Sequence, residues 1–234
     1  MNFQFMWYLL PKILAAVPMT MLLTITAMLF GSILGLLLAL ARVYRIPGLR
    51  QFSSVYVSVM RGIPLVVQLY ISYYVLPGVI VSAFAKFGIV IQSKDVPSVL
   101  IAMTAFSLDE AAYLCETFRS SLEAVDRGQF EAAYSVGMTR SQALRKIIFP
   151  QAVVVAIPNF GNLFISMIKG SSLAYMVAVS EIMGVANVEA STGLDYIESF
   201  LMTSVLYWGI CFLFEKLFRS LENKMKKFRT EVAI

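Results

Sequence analysis

The sequence predicts an all-α membrane protein with five transmembrane helices. Three observations lead there. Hydrophobic residues make up 59% of the chain and charged residues only 14%; the mean hydropathy is +0.77; and the lysines and arginines gather in the connections between apolar stretches. A soluble globular domain carries roughly 25% charged residues, so residues 1–234 read as a single transmembrane domain. The net charge of +5 does not point to nucleic acid, because the basic residues lie on no common face. Histidine is absent, which removes the commonest general base and metal ligand, and no metal site is expected. Cys115 and Cys211 both stand in apolar stretches and read as small buried hydrophobes rather than a disulfide.

A spanning helix needs about 20 mostly apolar residues. The first candidate runs from about Val17 to Ala41. Its apolar core is too long for a signal peptide and lacks a small-residue cleavage site, so it reads as retained. The second runs from about Phe52 to Val81 and is broken by Gly62, Pro64, Pro77 and Gly78. The third follows Pro97 and runs to about Phe118. The fourth follows Pro150 and runs to about Val179, with Pro158 and Gly161 inside it. The fifth runs from about Ile197 to Leu217. Breaks of this kind are tolerated where neighbouring helices or a cavity satisfy the freed backbone groups, so the second and fourth spans are expected to line a pathway. The segments Phe84–Val96 and Glu181–Asp195 read as outer loops, the latter with room for a short helix.

Orientation follows from the basic residues. Arg42, Arg45 and Arg50 flank the first loop, Arg119, Arg127, Arg140, Arg145 and Lys146 the third, and Lys216, Arg219, Lys224, Lys226, Lys227 and Arg229 the tail. Lys12, Lys86 and Lys94 lie on the other side, while Arg61 and Lys169 fall within spans. The N-terminus is therefore expected outside and the C-terminus in the cytoplasm.

The longest polar interlude, about residues 123–150, then faces the cytoplasm. Asp126 with Gln129 reads as a capping box opening a helix near Arg127, and Gly137 as the left-handed residue that closes it. Thr139 with Gln142 reads as a second capping box, opening a helix that runs toward Phe149 and stops at Pro150. Phe130, Ala133, Tyr134 and Gly137 share one face of the first helix. From this pattern alone the hairpin is either an amphipathic element lying on the membrane or one that docks into another protein.

Glu131-Ala132-Ala133, Gly137, Ile147 and Pro150 resemble the EAA signature of ABC-importer permeases. The resemblance extends through Ala112-Tyr113, Glu116, Arg119 and Gly128-Gln129, the run from Arg61-Gly62-Ile63-Pro64 to Gln68, and Ser171-Ser172-Leu173. Five blocks in order, over about residues 18–225, make the chain similar to the polar amino acid permeases. The resemblance implies a type I ABC importer permease fold in a bacterial inner membrane, a homodimer or a pair with a related permease, two cytoplasmic ATPase subunits and an extracytoplasmic amino acid-binding protein. Gly128, Glu131, Ala132, Ala133 and Gly137 would couple to the ATPase. Val43-Tyr44-Arg45-Ile46-Pro47 and the wording around Gly137 look most like permeases for cystine, with basic amino acids and glutamine as competitors.

The chain has no phosphate-binding loop; Ile168-Lys169-Gly170-Ser171-Ser172 has the wrong order for one. No cofactor is expected in this chain, and ATP with its magnesium would sit on the partner ATPase. Ionisable groups within spans are costly and face a cavity or a partner. Glu116 and Arg119, one turn apart, read as a structural pair; Arg61, Pro64 and Pro158 read as scaffold or gate. Asp109 and Glu110, adjacent at mid-span, either meet an ammonium-bearing substrate or pair across the bundle, for instance with Lys169. Asn162, Ser166, Lys169, Ser171 and Ser172 on the fourth span and Gln68 with Ser72 on the second complete the substrate-path candidates, each equally readable as interhelical hydrogen bonding. The family's lysine is often followed by aspartate, where Gly170 stands here. The alternative reading is a secondary transporter with Asp109 and Glu110 as its ion site, which leaves the EAA block unexplained and lacks a visible inverted repeat.

Overall fold

The computed structural model describes residues 1–126 and 128–232, with side chains as far as residue 225. Arg127 and the side chains of Lys226, Lys227 and Arg229, all counted in the charge argument, lie outside the described residues. The elements are all helical: α1 (Phe3–Val43), α2 (Leu49–Gly62), α3 (Leu65–Ala85), α4 (Ser98–Glu123), α5 (Gly128–Ser135), α6 (Arg140–Ala143), α7 (Phe149–Gly170), α8 (Ile182–Gly193) and α9 (Tyr196–Val232). Among the described residues five stretches are long and apolar enough to cross a membrane: α1, α3, α4, 140–177 and 196–225.

α4 is the central post, in contact with α1, α2, α3 and α7. Its contact with α1 is a close crossing made by small residues. A Cβ on Gly35 would meet the Ala111 carbonyl oxygen at 2.9 Å and the Cys115 nitrogen at 3.0 Å, and one on Gly31 would meet the Glu110 Cβ at 3.0 Å. Missing side chains at a four-residue interval let two backbones touch, the packing device of membrane helices. The main apolar cluster forms around this post, with Leu23, Leu69, Phe106, Leu114 and Ile168 fully buried.

Several expected boundaries are corrected. The first helix begins at Phe3, not near Val17, and continues through Pro11 and Pro18. Phe5, Leu9, Ile13 and Ala16 cluster there with Ile182 and Ala186 of α8, so burial holds a stretch that prolines and Lys12 would otherwise break. Glu181–Asp195 is accordingly no plain outer loop: α8 packs along the first half of α1, and Lys12 Nζ meets Glu189 Oε1 at 2.6 Å. The second span divides at Gly62–Pro64 into α2 and α3, and only α3 qualifies as a crossing helix; Pro77 and Gly78 do not interrupt it. Pro150 does not stop the hairpin's second helix either. A π-helical turn, Leu144–Ile148, joins α6 directly to α7, and the Phe149 N–H reaches back to the Leu144 carbonyl. A proline ring clashes with the carbonyl four residues back in an α-helix; the wider turn just before Pro150 removes that conflict.

Candidate functional site: a polar hairpin and the polar contacts of the spans

The polar hairpin is built as the caps require. The Asp126 carboxylate accepts from the Gly128 N–H at 2.6 Å and opens α5, while Gln129, expected to complete a capping box, instead meets the Gln151 side chain at 3.3 Å. Gly137 takes φ +78° and nothing lies within 4 Å of a Cβ there. Thr139 and Gln142 form the full reciprocal capping box. Ala133 is buried, and Phe130 packs on Val125, Ile148 and Ala152. The opposite face is open: Glu131 and Ala132 are exposed, and Val136 is 72% exposed. Glu131 has no hydrogen bond or ion pair among the described residues.

Two contacts missed by the sequence reading tie this hairpin to the spans. Arg140 stacks over the Tyr44 ring at 4.9 Å, joining α6 to the end of α1. Burial pushes the Tyr44 phenol up, with the Arg140 charge pulling the other way. On α4, Glu116 binds Arg119 (2.7 Å), as expected, and also Arg42 of α1, while Arg119 holds Glu123 at 2.6 Å. Four charges thus form one chain across the α1–α4 contact.

The mid-span candidates divide into separate groups. Asp109 and Glu110 are both buried, 6% and 5% exposed. Asp109 does pair across the bundle, but with Gln68 rather than Lys169: the Gln68 Nε2 lies 2.8 Å from Asp109 Oδ1, 2.8 Å from the Met60 carbonyl and 3.0 Å from the Ile63 carbonyl. One amide therefore serves both the broken backbone at Gly62–Pro64 and a carboxylate on α4. With three acceptors around it, this end must be the amino end of the amide. Tyr56 of α2 adds a bond to the Leu108 carbonyl at 2.6 Å. Glu110 faces α1 at Gly31, and its Oε2, like Gln68 Oε1, has no hydrogen-bond partner among the described residues.

Asn162, Ser166 and Lys169 instead form an exposed stripe on α7, with Lys169 in no ion pair among the described residues. Ser171 and Ser172 donate to the backbone carbonyls of Ile168 and Lys169 at 2.7 Å. Ser72 is half-buried on α3, and Arg61 stacks over Tyr113 at 5.3 Å. Pro64 stands at the start of α3 and Pro158 inside α7. Among the described residues no group of three histidine, cysteine, aspartate or glutamate side chains could hold a metal.

A fully buried acid outside the expected set is Glu181. It accepts from the Gly184 N–H (2.8 Å) as the cap of α8, and from the hydroxyls of Tyr207 (2.7 Å) and Thr20 (3.4 Å). Its sequence signal was the Glu181–Ile182–Ala186–Ala190 spacing, an acidic cap before a buried helical stripe.

The family model described as "Binding-protein-dependent transport system inner membrane component" matches residues 31–227. The L-cystine transport system permease protein TcyL of Bacillus subtilis (strain 168) is 37% identical over 223 residues, 95% of this chain and 90% of the relative. The probable amino-acid ABC transporter permease protein PatM of Vibrio harveyi is 38% identical over 226 residues, 97% of each. Among solved structures, an amino acid ABC transporter with histidines superposes with a TM-score of 0.81 at 30% identity, covering 96% of this chain and 99% of that one.

Proposed function

Since this chain belongs to the family of binding-protein-dependent transport system inner membrane components and is an amino acid ABC transporter permease subunit, we propose that it passes cystine, or a related polar amino acid, inward by alternating access. The permease does no chemistry on its cargo. Two cytoplasmic ATPase subunits would close on ATP and move the hairpin; an extracytoplasmic binding protein would deliver the amino acid; a second copy or a related permease would complete the pathway. The orientation this needs, N-terminus outside and C-terminus inside, rests on the distribution of basic residues.

The observation that carries this reading is the α5–α6 hairpin. Its inner face is anchored by Phe130 and Ala133, while Glu131 and Ala132 stand exposed on the outer one. A rigid lever with a free docking face suits transmission from a moving partner. For the cargo, the exposed stripe Asn162–Ser166–Lys169 offers two hydrogen-bonding groups and one cation to an amino acid carboxylate. Asp109, committed to Gln68, would act on the path by fixing the α2–α3 break. Cystine has the support of the cystine permease similarity, and no residue described here selects it over arginine, histidine or glutamine.

The test is ATPase activity of the permease reconstituted with its ATPase and binding protein across a panel of amino acids. Stimulation by cystine supports the full reading. Stimulation by arginine, histidine or glutamine corrects the cargo. An assembled complex that responds to no amino acid refutes this cargo class.

A further inference from the structure

We propose that the groove between α1, α4 and α7 binds one anionic glycerophospholipid, its acyl chain in the groove and its phosphate at Arg145 and Lys146. The groove has a volume of about 300 Å³. Its walls are almost wholly apolar, with Leu36 and Phe118 facing Phe149, Val153, Ala156 and Phe160 of α7. It is not sealed by the protein: Ile33 on its rim is 55% exposed and Phe149 at its end 48%. An amino acid with two charged groups has no partner in such a cavity, so it does not belong to the cargo path.

Three features select the occupant. First, the α7 residues in the groove recur at three- and four-residue intervals, and Arg145 and Lys146 stand in the π turn that leads into Phe149 at the groove's end. Both cations are exposed and neither has an ion pair among the described residues. Second, Ser121 lines the groove two residues before α4 ends at Glu123, and its buried hydroxyl has no hydrogen-bond partner among the described residues. That depth matches the ester carbonyls of a lipid, which accept a hydrogen bond. Third, the groove lies in the half of the bundle near the polar hairpin, the side where basic pockets between spans meet anionic headgroups. Phosphate, ester and acyl chain thus each find a counterpart in order along the membrane normal. Placing this site in the cytoplasmic leaflet rests on the proposed orientation; the binding itself does not.

The experiment is native mass spectrometry of the full-length chain in mild detergent, titrated with phosphatidylglycerol or phosphatidylcholine of matched acyl chains. Each cation near a headgroup contributes roughly fivefold in affinity, so phosphatidylglycerol is expected to be favoured by about twenty- to thirtyfold. Arg145→Gln with Lys146→Gln should abolish that preference. Val153→Phe, or Ile33→Trp on the exposed opposite wall, should weaken both lipids by filling the groove. Equal binding of the two lipids, a preference that survives the double charge variant, or undiminished binding by both filled variants overturns the proposal. So does a Val153→Cys variant that crosslinks two copies through the groove. No ATP or amino acid enters this measurement, so its failure leaves the transport reading standing, and the reverse holds equally.

Discussion

The Gln68 clamp gives the sharpest test of how the interior is organised. Leucine at position 68 keeps much of the volume and removes the amide. Its Nε2 carries two hydrogens for three acceptors, the Met60 and Ile63 carbonyls and Asp109, so at most two full bonds are lost at once. Each buried group left unsatisfied costs about 1–3 kcal/mol, and a carboxylate more. Gln68→Leu should therefore destabilise by about 3 kcal/mol. Asp109→Leu should cost only about 1 kcal/mol, because the amide keeps both carbonyls. The double variant leaves no orphaned carboxylate and should sit near 2 kcal/mol, giving a coupling of about 2 kcal/mol between the positions. Unfolding of the purified protein by titration from mild detergent into dodecyl sulfate, followed by circular dichroism, measures all three. Costs that add within about 0.5 kcal/mol would refute the clamp. So would an Asp109→Asn protein of unchanged stability whose KM for amino acid rises severalfold, since that result places the carboxylate on the cargo.

The small-residue crossing and the hairpin corner yield two further tests. Gly35→Ala forces a methyl group against the α4 backbone and should cost a net ~0–2 kcal/mol in the same assay, about 1–3 from overpacking less roughly 1 from helix propensity. Gly78→Ala, where nothing lies within 4 Å, should be neutral or stabilising; equal effects at the two glycines would sink the close-crossing argument. Gly137→Leu places a side chain at φ +78°, a backbone strain of about 1–2 kcal/mol confined to the corner. Membrane insertion should be normal while ATP hydrolysis becomes uncoupled from uptake, and normal uptake would refute the coupling role of the corner.

What could be read in advance depended on where the information lies. Hydropathy located five spans because each apolar run is long, and the Gly137 corner and the Thr139–Gln142 cap were legible because their causes are local. Helix α1 was read too short because Pro11 and Lys12 argue locally against a helix that only packing on α8 rescues. Helix α8 was allowed for as a short helix in an outer loop, but its packing along α1 was not read, because polar residues obscured the Ile182–Ala186–Ala190 stripe. The Gln68–Asp109 contact was out of reach for a stronger reason. Both residues were singled out, but 41 positions separate them, and nothing in either neighbourhood names the other. The Arg140–Tyr44 stack and the second partner of Glu116, Arg42, escaped for the same reason.

The π-helical turn at Leu144–Ile148 sets the angular phase between the spanning helix α7 and the polar hairpin. Above it, the Phe149–Val153–Ala156 stripe of α7 lines the groove beside α1; below it, Phe130 packs back onto Ile148 and Ala152. Each residue of an α-helix turns the chain by about 100°, and a π turn amounts to one residue inserted into that rhythm. Removing Ile147 would take out the extra residue and restore a plain helix with both faces near their present phase, whereas winding the same five residues as a plain α-helix would swing the hairpin by roughly that angle, carrying Glu131 away from the direction in which a partner would meet it. At this point of the chain the winding of a single turn, more than the surface its residues present, decides where the lever is aimed.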